Sequence, residues 1–279
     1  EIPAPDFYSK VVRAVNAGID MFMEPNRWRE FVVTLEKAVQ NGDVSEARID
    51  DAVRRILRVK FQAGLFEAPY ADRDLLAQKV IGCDAHRAIA REAVRKSLVL
   101  LKNENNLLPL AKESRIYIAG SNADDIGNQC GGWTITWQGK SGPITTGTTI
   151  RAGIEAAVKN SGRIVSRLDA ADVAVVVVGE KPYAEGAGDN GRLTLDATDL
   201  MVLKEIKAAG VPMVVIIVAG RPLMISEYLD DWEALVAAWL PGTEGQGVAD
   251  VLFGDYNFTG RLPLTWPKNL DRYPLNYGA

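Results

Sequence analysis

Apolar side chains recur along this chain in two patterns, one typical of helices alone and one of strands and helices in turn. Through the first sixty-odd positions the spacing is helical, and it predicts helices over 10–16, 28–40 and 45–62. The last of these carries Ile49, Ala52, Val53, Ile56, Leu57 and Phe61 on one stripe and opens at Ser45, a suitable cap. Between the first two, Gly18 ends a helix, and Ile19-Asp-Met-Phe-Met23 reads as a short buried strand closed by Glu24-Pro25. Farther on, short apolar runs at 98–101, 115–119, 173–178, 213–218 and 234–239 alternate with amphipathic stretches at 85–96, 149–159, 197–209 and 245–253. Runs of that length read as strands buried on both faces, and the intervening stretches as covering helices. The alternation predicts an α/β sandwich with a mostly parallel sheet from about residue 83 onward.

Residues 1–65, in helix, strand, helix, helix order, are few for an independent core. They read as the C-terminal tail of a larger α/β domain. Residues 66–82, with Pro69, Gly82 and one short helical run at 72–78, read as a linker, and 83–279 as the second domain. The opening Glu1-Ile-Pro-Ala-Pro5 has none of the features of a signal peptide, so the chain is expected to be the middle of a longer protein.

Composition narrows the chemistry. With 47% hydrophobic and 24% charged residues in 279, the chain is ordinary globular material. A net charge of −4 offers no field to hold a phosphate backbone, which argues against a nucleic-acid partner. The longest apolar runs reach about half of the roughly 20 residues that a membrane span requires. Two cysteines, Cys83 and Cys130, make neither a disulfide framework nor a four-cysteine zinc site. A single histidine, His86, excludes a multi-histidine metal centre within the chain, so carboxylates, amides, Arg, Lys or aromatics must carry any chemistry. No cofactor is expected, since the glycine spacing of 186–191 does not suit a dinucleotide and no phosphate-binding loop occurs.

In an open parallel sheet, ligands bind beyond the carboxyl ends of the strands. Three loops leave such ends, at 120–147, 179–191 and 219–222. The first holds Trp133 and Trp137 among Asn128, Gln129, Thr134 and Gln138, flat apolar faces beside amides and hydroxyls, as a sugar ring requires. The same indoles could instead pin the loop to the body. The second holds Glu180, Glu185 and Asp189, any of which could be a general acid if its surroundings raise its pKa, or part of a solvated turn that bends at Asp189-Asn190-Gly191. In the third, Arg221 could face a ligand or buttress the loop through an ion pair. Cys130 is expected to pack rather than react, and His86 to serve a structural or capping role at the start of its helix.

Several ordered segments together resemble glycoside hydrolase family 3, of the exo-acting β-glucan glucohydrolase and β-glucosidase type. They include Arg54-Arg-Ile-Leu-Arg-Val-Lys-Phe61, His86-Arg-Ala-Ile-Ala-Arg-Glu-Ala-Val-Arg-Lys-Ser-Leu-Val-Leu-Leu-Lys-Asn103, Gln129-Cys-Gly-Gly-Trp-Thr-Ile-Thr-Trp-Gln-Gly139, Gly220-Arg-Pro222 and Trp239-Leu-Pro-Gly-Thr-Glu-Gly-Gln-Gly247. The resemblance implies a (β/α)₈-like barrel, a linker and a six-stranded sandwich, with catalysis in the interdomain cleft. It implies a retaining mechanism on β-linked oligosaccharides, in which a barrel aspartate attacks and a sandwich-domain glutamate acts as acid and then base, the carboxyls about 5 to 5.5 Å apart. By similarity Glu185 falls at the acid/base position, Trp137 at one wall of the leaving-sugar slot with Trp133 as its packing support, and Met23 near the pocket edge. The family's nucleophile lies in a Ser-Asp-Trp-like motif that this chain lacks; its one Asp-Trp pair, Asp231-Trp232, is read as surface structure. The partner that the resemblance implies is therefore a barrel segment bearing the nucleophile, without which the chain should be inert. Family habit also implies a secreted or periplasmic location. A noncatalytic carbohydrate-binding or scaffold fragment is the competing reading, and a nucleotide-binding domain a weaker third.

Overall fold

The computed structural model describes residues 2–74, 78, 80–158 and 163–272, in two compact units, 1–80 and 81–279. In the first, α1 (Phe7–Asn16), α2 (Trp28–Gln40) and α3 (Glu46–Gln62) follow the periodicity of the sequence, with Asp6 and Ser45 accepting backbone N–H groups at the starts of α1 and α3. Val11, Val15, Ala38 and Val44 form a small core edged by Phe22, Phe31 and Ile49. The stripe on α3 is only half covered: Ala52 is buried, while Val53, Leu57 and Phe61 remain exposed.

The strand expected at 19–23 does not form. This stretch is irregular, bends at Met21 and joins no sheet, because the unit offers no second strand among its described residues. Nor is it buried: Met21 and Met23 lie in solvent, and Asp20 turns to α3, where Arg48 (2.7 Å) and Arg55 (2.6 Å) hold its carboxyl down at about 2. The middle of the helical run expected at 72–78, residues 75–77, lies outside the described residues.

The second unit opens with α4 (Asp84–Ser97) and is built on six strands, β1 (Val99–Asn103), β2 (Arg115–Ala119), β3 (Arg163–Val165), β4 (Val173–Gly179), β5 (Met213–Val218) and β6 (Ala234–Trp239). They lie in the order β1-β6-β5-β4-β2-β3, and every pairing is parallel except β1 with β6. This is the α/β architecture with a mostly parallel six-stranded sheet that the alternation predicts. The three-residue β3 is too short for an apolar run to announce it.

Every residue of β4 and β5 is buried, and successive side chains divide between two cores. Val173, Val175 and Val177 meet α6 (Ile150–Ala157) and α8 (Gly245–Leu252) through Ile150, Ile154, Val248 and Leu252. Ala174, Val176 and Val178 share the other core with Leu203 and Ile206 of α7 (Ala197–Ala209). At roughly 1.5 to 3 kcal/mol for each large apolar side chain removed from water, these two layers hold the sheet rigid beneath its loops. The end of the helix expected over 149–159 falls on Lys159, outside the described residues.

Trp232 corrects the expectation of surface structure at Asp231-Trp232. It is 1% exposed, sits in the core beside α7, and stacks on Tyr228 at 6.2 Å. Asp231 pairs with Lys207 of α7. An indole has too much apolar area to be left wet where a core can receive it.

Candidate active site

The three loops leave β2, β4 and β5 at their carboxyl ends and are fastened to one another at the root. Asp199, in the first turn of α7 and 1% exposed, accepts the Ser121 N–H (2.9 Å), the Ser121 hydroxyl (2.8 Å) and the Gly179 N–H (3.4 Å). One carboxylate thus ties the beginning of the first loop to the beginning of the second. Burial pushes its pKa up, against the pull of those hydrogen bonds. Gly120 is required here, because with φ +95° a Cβ would stand 2.1 Å from the Val177 carbonyl oxygen.

The first loop begins with a short helix, α5 (Ile126–Cys130), capped by Asp125, whose carboxyl also receives the Gly142 N–H at 2.8 Å. Asn128 and Gln129, expected as sugar partners, are buried and occupied. Asn128 donates to the Asn122 side chain at 2.5 Å and accepts from the Ser141 hydroxyl at 2.7 Å. Gln129 donates to the Gly242 carbonyl (3.0 Å) and accepts the Ile150 N–H (2.8 Å). Thr134 donates to the Cys130 carbonyl, and Gln138 accepts the Ala184 N–H at 2.9 Å. All four polar groups build the loop, because a long connection that leaves a sheet must satisfy its own buried backbone groups.

Around positions 133–137 the loop exposes large apolar side chains. Trp133 and Trp137 are 69% and 54% exposed, with ring centroids 6.2 Å apart and planes tilted by 46°; Ile135 projects between them in sequence and is also exposed. Trp133, expected as support, is the more exposed of the pair. The turn is closed by the Trp133 N–H on the Trp137 carbonyl (2.9 Å), and both Trp133 and Ile135 take left-handed φ values, +61° and +63°. For a β-branched residue such as Ile135 that conformation is a genuine outlier.

Of the three carboxyls in the second loop, Glu180 is committed to structure. It accepts from Arg221 Nη2 (2.6 Å) and Nε (3.1 Å) and from the Tyr183 hydroxyl (2.9 Å). This settles Arg221 as a loop buttress, with its guanidinium 4.5 Å from the centre of the Tyr183 ring. Asp189 is exposed at the end of the 3₁₀ turn Glu185–Gly188, and Asn190 accepts the N–H groups of Arg192 and Leu193, which makes the bend expected there. Glu185 heads that turn, exposed, in a left-handed conformation (φ +51°), and among the described residues its carboxyl makes no hydrogen bond or ion pair.

The second loop rests on the first. A Cβ on Gly132 would lie 2.0 Å from the Tyr183 carbonyl oxygen, and one on Gly139 would lie 2.8 Å from Pro182 Cβ. Glu185 and the tryptophan pair are therefore carried by two loops in direct contact. Tyr183, which organises that contact, has no signature in the sequence beyond the glycine five residues after it.

The remaining candidates have structural surroundings. His86 Nδ1 accepts the Gly82 N–H at 3.3 Å beside the start of α4, and burial pushes the Cys130 thiol up. Met23 belongs to the first unit and is 97% exposed. Arg91 and Arg95 of α4 grip Asp250 of α8 at 2.5 to 2.6 Å, and although burial opposes it they hold that carboxyl below its usual range. Among the described residues, no three His, Cys, Asp or Glu side chains gather as a metal site, and no helix is long and apolar enough to cross a membrane.

Comparison with known proteins matches residues 98–279 to the glycosyl hydrolase family 3 C-terminal domain and residues 5–59 to the family 3 N-terminal domain. The chain is similar to a lysosomal beta glucosidase of Dictyostelium discoideum, 34% identical over 92% of this chain and 35% of that protein. It is also similar to a periplasmic beta-glucosidase of Salmonella typhimurium, at 31% over 95% of this chain and 39% of the relative. Among solved structures it superposes on an exo-1,3/1,4-beta-glucanase from a Pseudoalteromonas species, with a TM-score of 0.85, 40% identity, and coverage of 96% of this chain and 36% of the other. A beta-glucosidase from Listeria innocua in complex with glucose gives a TM-score of 0.84 and 30% identity, over 98% and 39% of the two chains. The chain spans somewhat more than a third of the length of these curated relatives. With its sandwich domain and part of the preceding domain both matched, the chain belongs to glycosyl hydrolase family 3.

Proposed function

We propose that this chain is the acid/base-bearing part of a retaining, exo-acting β-glucosidase or β-glucan glucohydrolase that releases glucose from nonreducing ends. The observation that carries this reading is the state of Glu185. Its carboxyl is unpartnered, and its backbone occupies a sparsely populated conformation that persists only where surrounding contacts impose it. Glu180, held by its Arg221 and Tyr183 contacts, lacks the freedom to exchange a proton with substrate. In the first half-reaction Glu185 protonates the departing glycosidic oxygen; in the second it takes a proton from water, while a carboxylate nucleophile holds the sugar. Trp137, and beside it Trp133, offer indole faces to the leaving sugar.

The nucleophile in this proposal comes from barrel residues outside the chain, since Asp231 of the single Asp-Trp pair is engaged by Lys207 and its neighbour is core. The same barrel residues would cover the exposed Val53, Leu57 and Phe61 of α3. The chain by itself is then inert. The domain scheme follows: 1–65 as barrel remnant, 66–82 as linker, 83–279 as sandwich. A secreted or periplasmic location is supported by the periplasmic relative from Salmonella typhimurium.

The test is Glu185→Gln in the full-length enzyme. Hydrolysis of a disaccharide should slow by about 10²- to 10⁴-fold, the usual worth of a positioned acid, while glycosylation by a 2,4-dinitrophenyl β-glucoside is nearly unaffected. Equal losses on both substrates would move the acid elsewhere. The two exposed indoles also suit a noncatalytic carbohydrate-binding role; in that case Glu185→Gln would leave oligosaccharide binding unchanged and no hydrolysis would appear even with the barrel present.

A further inference from the structure

Tyr183 lies two residues before Glu185 and touches all three loops. Its hydroxyl donates to Glu180 at 2.9 Å, and Glu180 is in turn held by Arg221 of the third loop. The Arg221 guanidinium also lies 4.5 Å from the ring centre. The ring has its berth because Gly188 has no side chain: a Cβ there would stand 2.1 Å from ring Cδ2. Its carbonyl lies against Gly132 of the first loop, and the next residue, Ala184, gives its N–H to Gln138. Burial and the Glu180 contact push the phenol up to about 12, so it remains a donor at neutral pH. Glu185, by contrast, has no contact of its own that sets its direction. Its left-handed backbone, φ +51°, stands between Tyr183 before it and Gly188, against which the Tyr183 ring lies, after it.

We propose that Tyr183 is a positioning residue for the acid/base: through its ring and hydroxyl, the Arg221–Glu180 ion pair fixes the backbone that aims the Glu185 carboxyl. The inference rests on the reading of Glu185 as the acid. It assigns Glu180 and Arg221 to placement rather than to proton transfer. It also explains why a glycine follows the glutamate at position 188, where the ring must enter the turn.

The test compares Tyr183→Phe, Tyr183→Ala and Glu185→Gln in the full-length enzyme, each first checked for native circular dichroism. kcat/KM, which reports glycosylation, is measured on a disaccharide and on 2,4-dinitrophenyl β-glucoside. Displacing the acid by about 1 Å should cost about 100-fold on the disaccharide for Tyr183→Ala, and less than about threefold on the activated glycoside. Tyr183→Phe, which keeps the ring but loses the hydroxyl, should recover most of the loss while retaining its direction. A merely structural tyrosine would depress both substrates together, and that result, or no loss on either while Glu185→Gln discriminates between them, overturns the proposal. If Glu185→Gln itself affects both substrates alike, the acid reading fails, and the positioning role falls with it.

Discussion

The side-chain oxygen of Gln138 accepts the backbone N–H of Ala184 at 2.9 Å, joining the residue after Trp137 to the residue before Glu185. This side-chain amide therefore adds a hydrogen bond to the close contacts of Gly132 and Gly139 that join the two loops. Replacing it by an apolar residue of similar size leaves the Ala184 N–H without its acceptor in a partly buried setting. We expect Gln138→Leu to cost about 1 to 3 kcal/mol in urea denaturation, with increased quenching of tryptophan emission by iodide. Unchanged stability and quenching would mean that the loops are held together by Gly132 and Gly139 alone.

The glycine contacts make a second, steric prediction. Gly132→Ala places a methyl group 2.0 Å from a carbonyl oxygen, so backbone must move; the expected destabilisation is about 1 to 3 kcal/mol. Gly186→Ala is the control, since nothing stands within 4 Å of a Cβ there and its φ is not left-handed; it should stay within about 0.5 kcal/mol of the parent. Comparison of denaturation midpoints checks both.

Trp137→Ala should weaken binding of a disaccharide about tenfold, roughly 1.4 kcal/mol, and binding of glucose much less. Isothermal titration of the full-length enzyme with glucose and with a thio-linked, non-hydrolysable disaccharide measures the ratio. An unchanged ratio would return Trp137 to a packing role, despite its 54% exposure.

Asp199 gives a pH prediction. Its folded pKa is raised from an ordinary value of 3.8, first by burial, so between 3.8 and the raised value the folded state keeps a proton that the unfolded chain has released. Its contribution to stability is greatest in acid, falls as pH rises through that window, and is constant above it. The stability of the parent relative to Asp199→Asn should therefore decline as pH rises from about 3.5 toward neutrality. Urea midpoints for both proteins across that range provide the check, and a difference independent of pH would show that Asp199 titrates normally.

Much of the sandwich was legible because its central strands are apolar on both faces: 173–178 and 213–218 differ from β4 and β5 by at most one residue. Where the chain is only partly buried, the same reasoning failed. Ile19-Asp-Met-Phe-Met23 has a strand's composition, but Asp20 is captured by Arg48 and Arg55, and no neighbouring strand among the described residues satisfies its backbone. Asn128 and Gln129 looked like ligand groups because composition records polarity but not direction, and these amides turn inward to hold the loop. The choice among Glu180, Glu185 and Asp189 was closed to spacing arguments. That Glu180 is committed to an ion pair depends on Arg221, forty-one positions away, which no local pattern connects to it.

The fit of Gly132 beneath the Tyr183 carbonyl bears on how specificity can be redesigned in this scaffold. A chimera that imports the aromatic segment from one relative and the acidic segment from another would bring together two surfaces never matched to each other, and any side chain at position 132 would push the two loops apart at the Tyr183 carbonyl. Residues 120–147 and 179–191 form one transplantable module, to be grafted together or left in place.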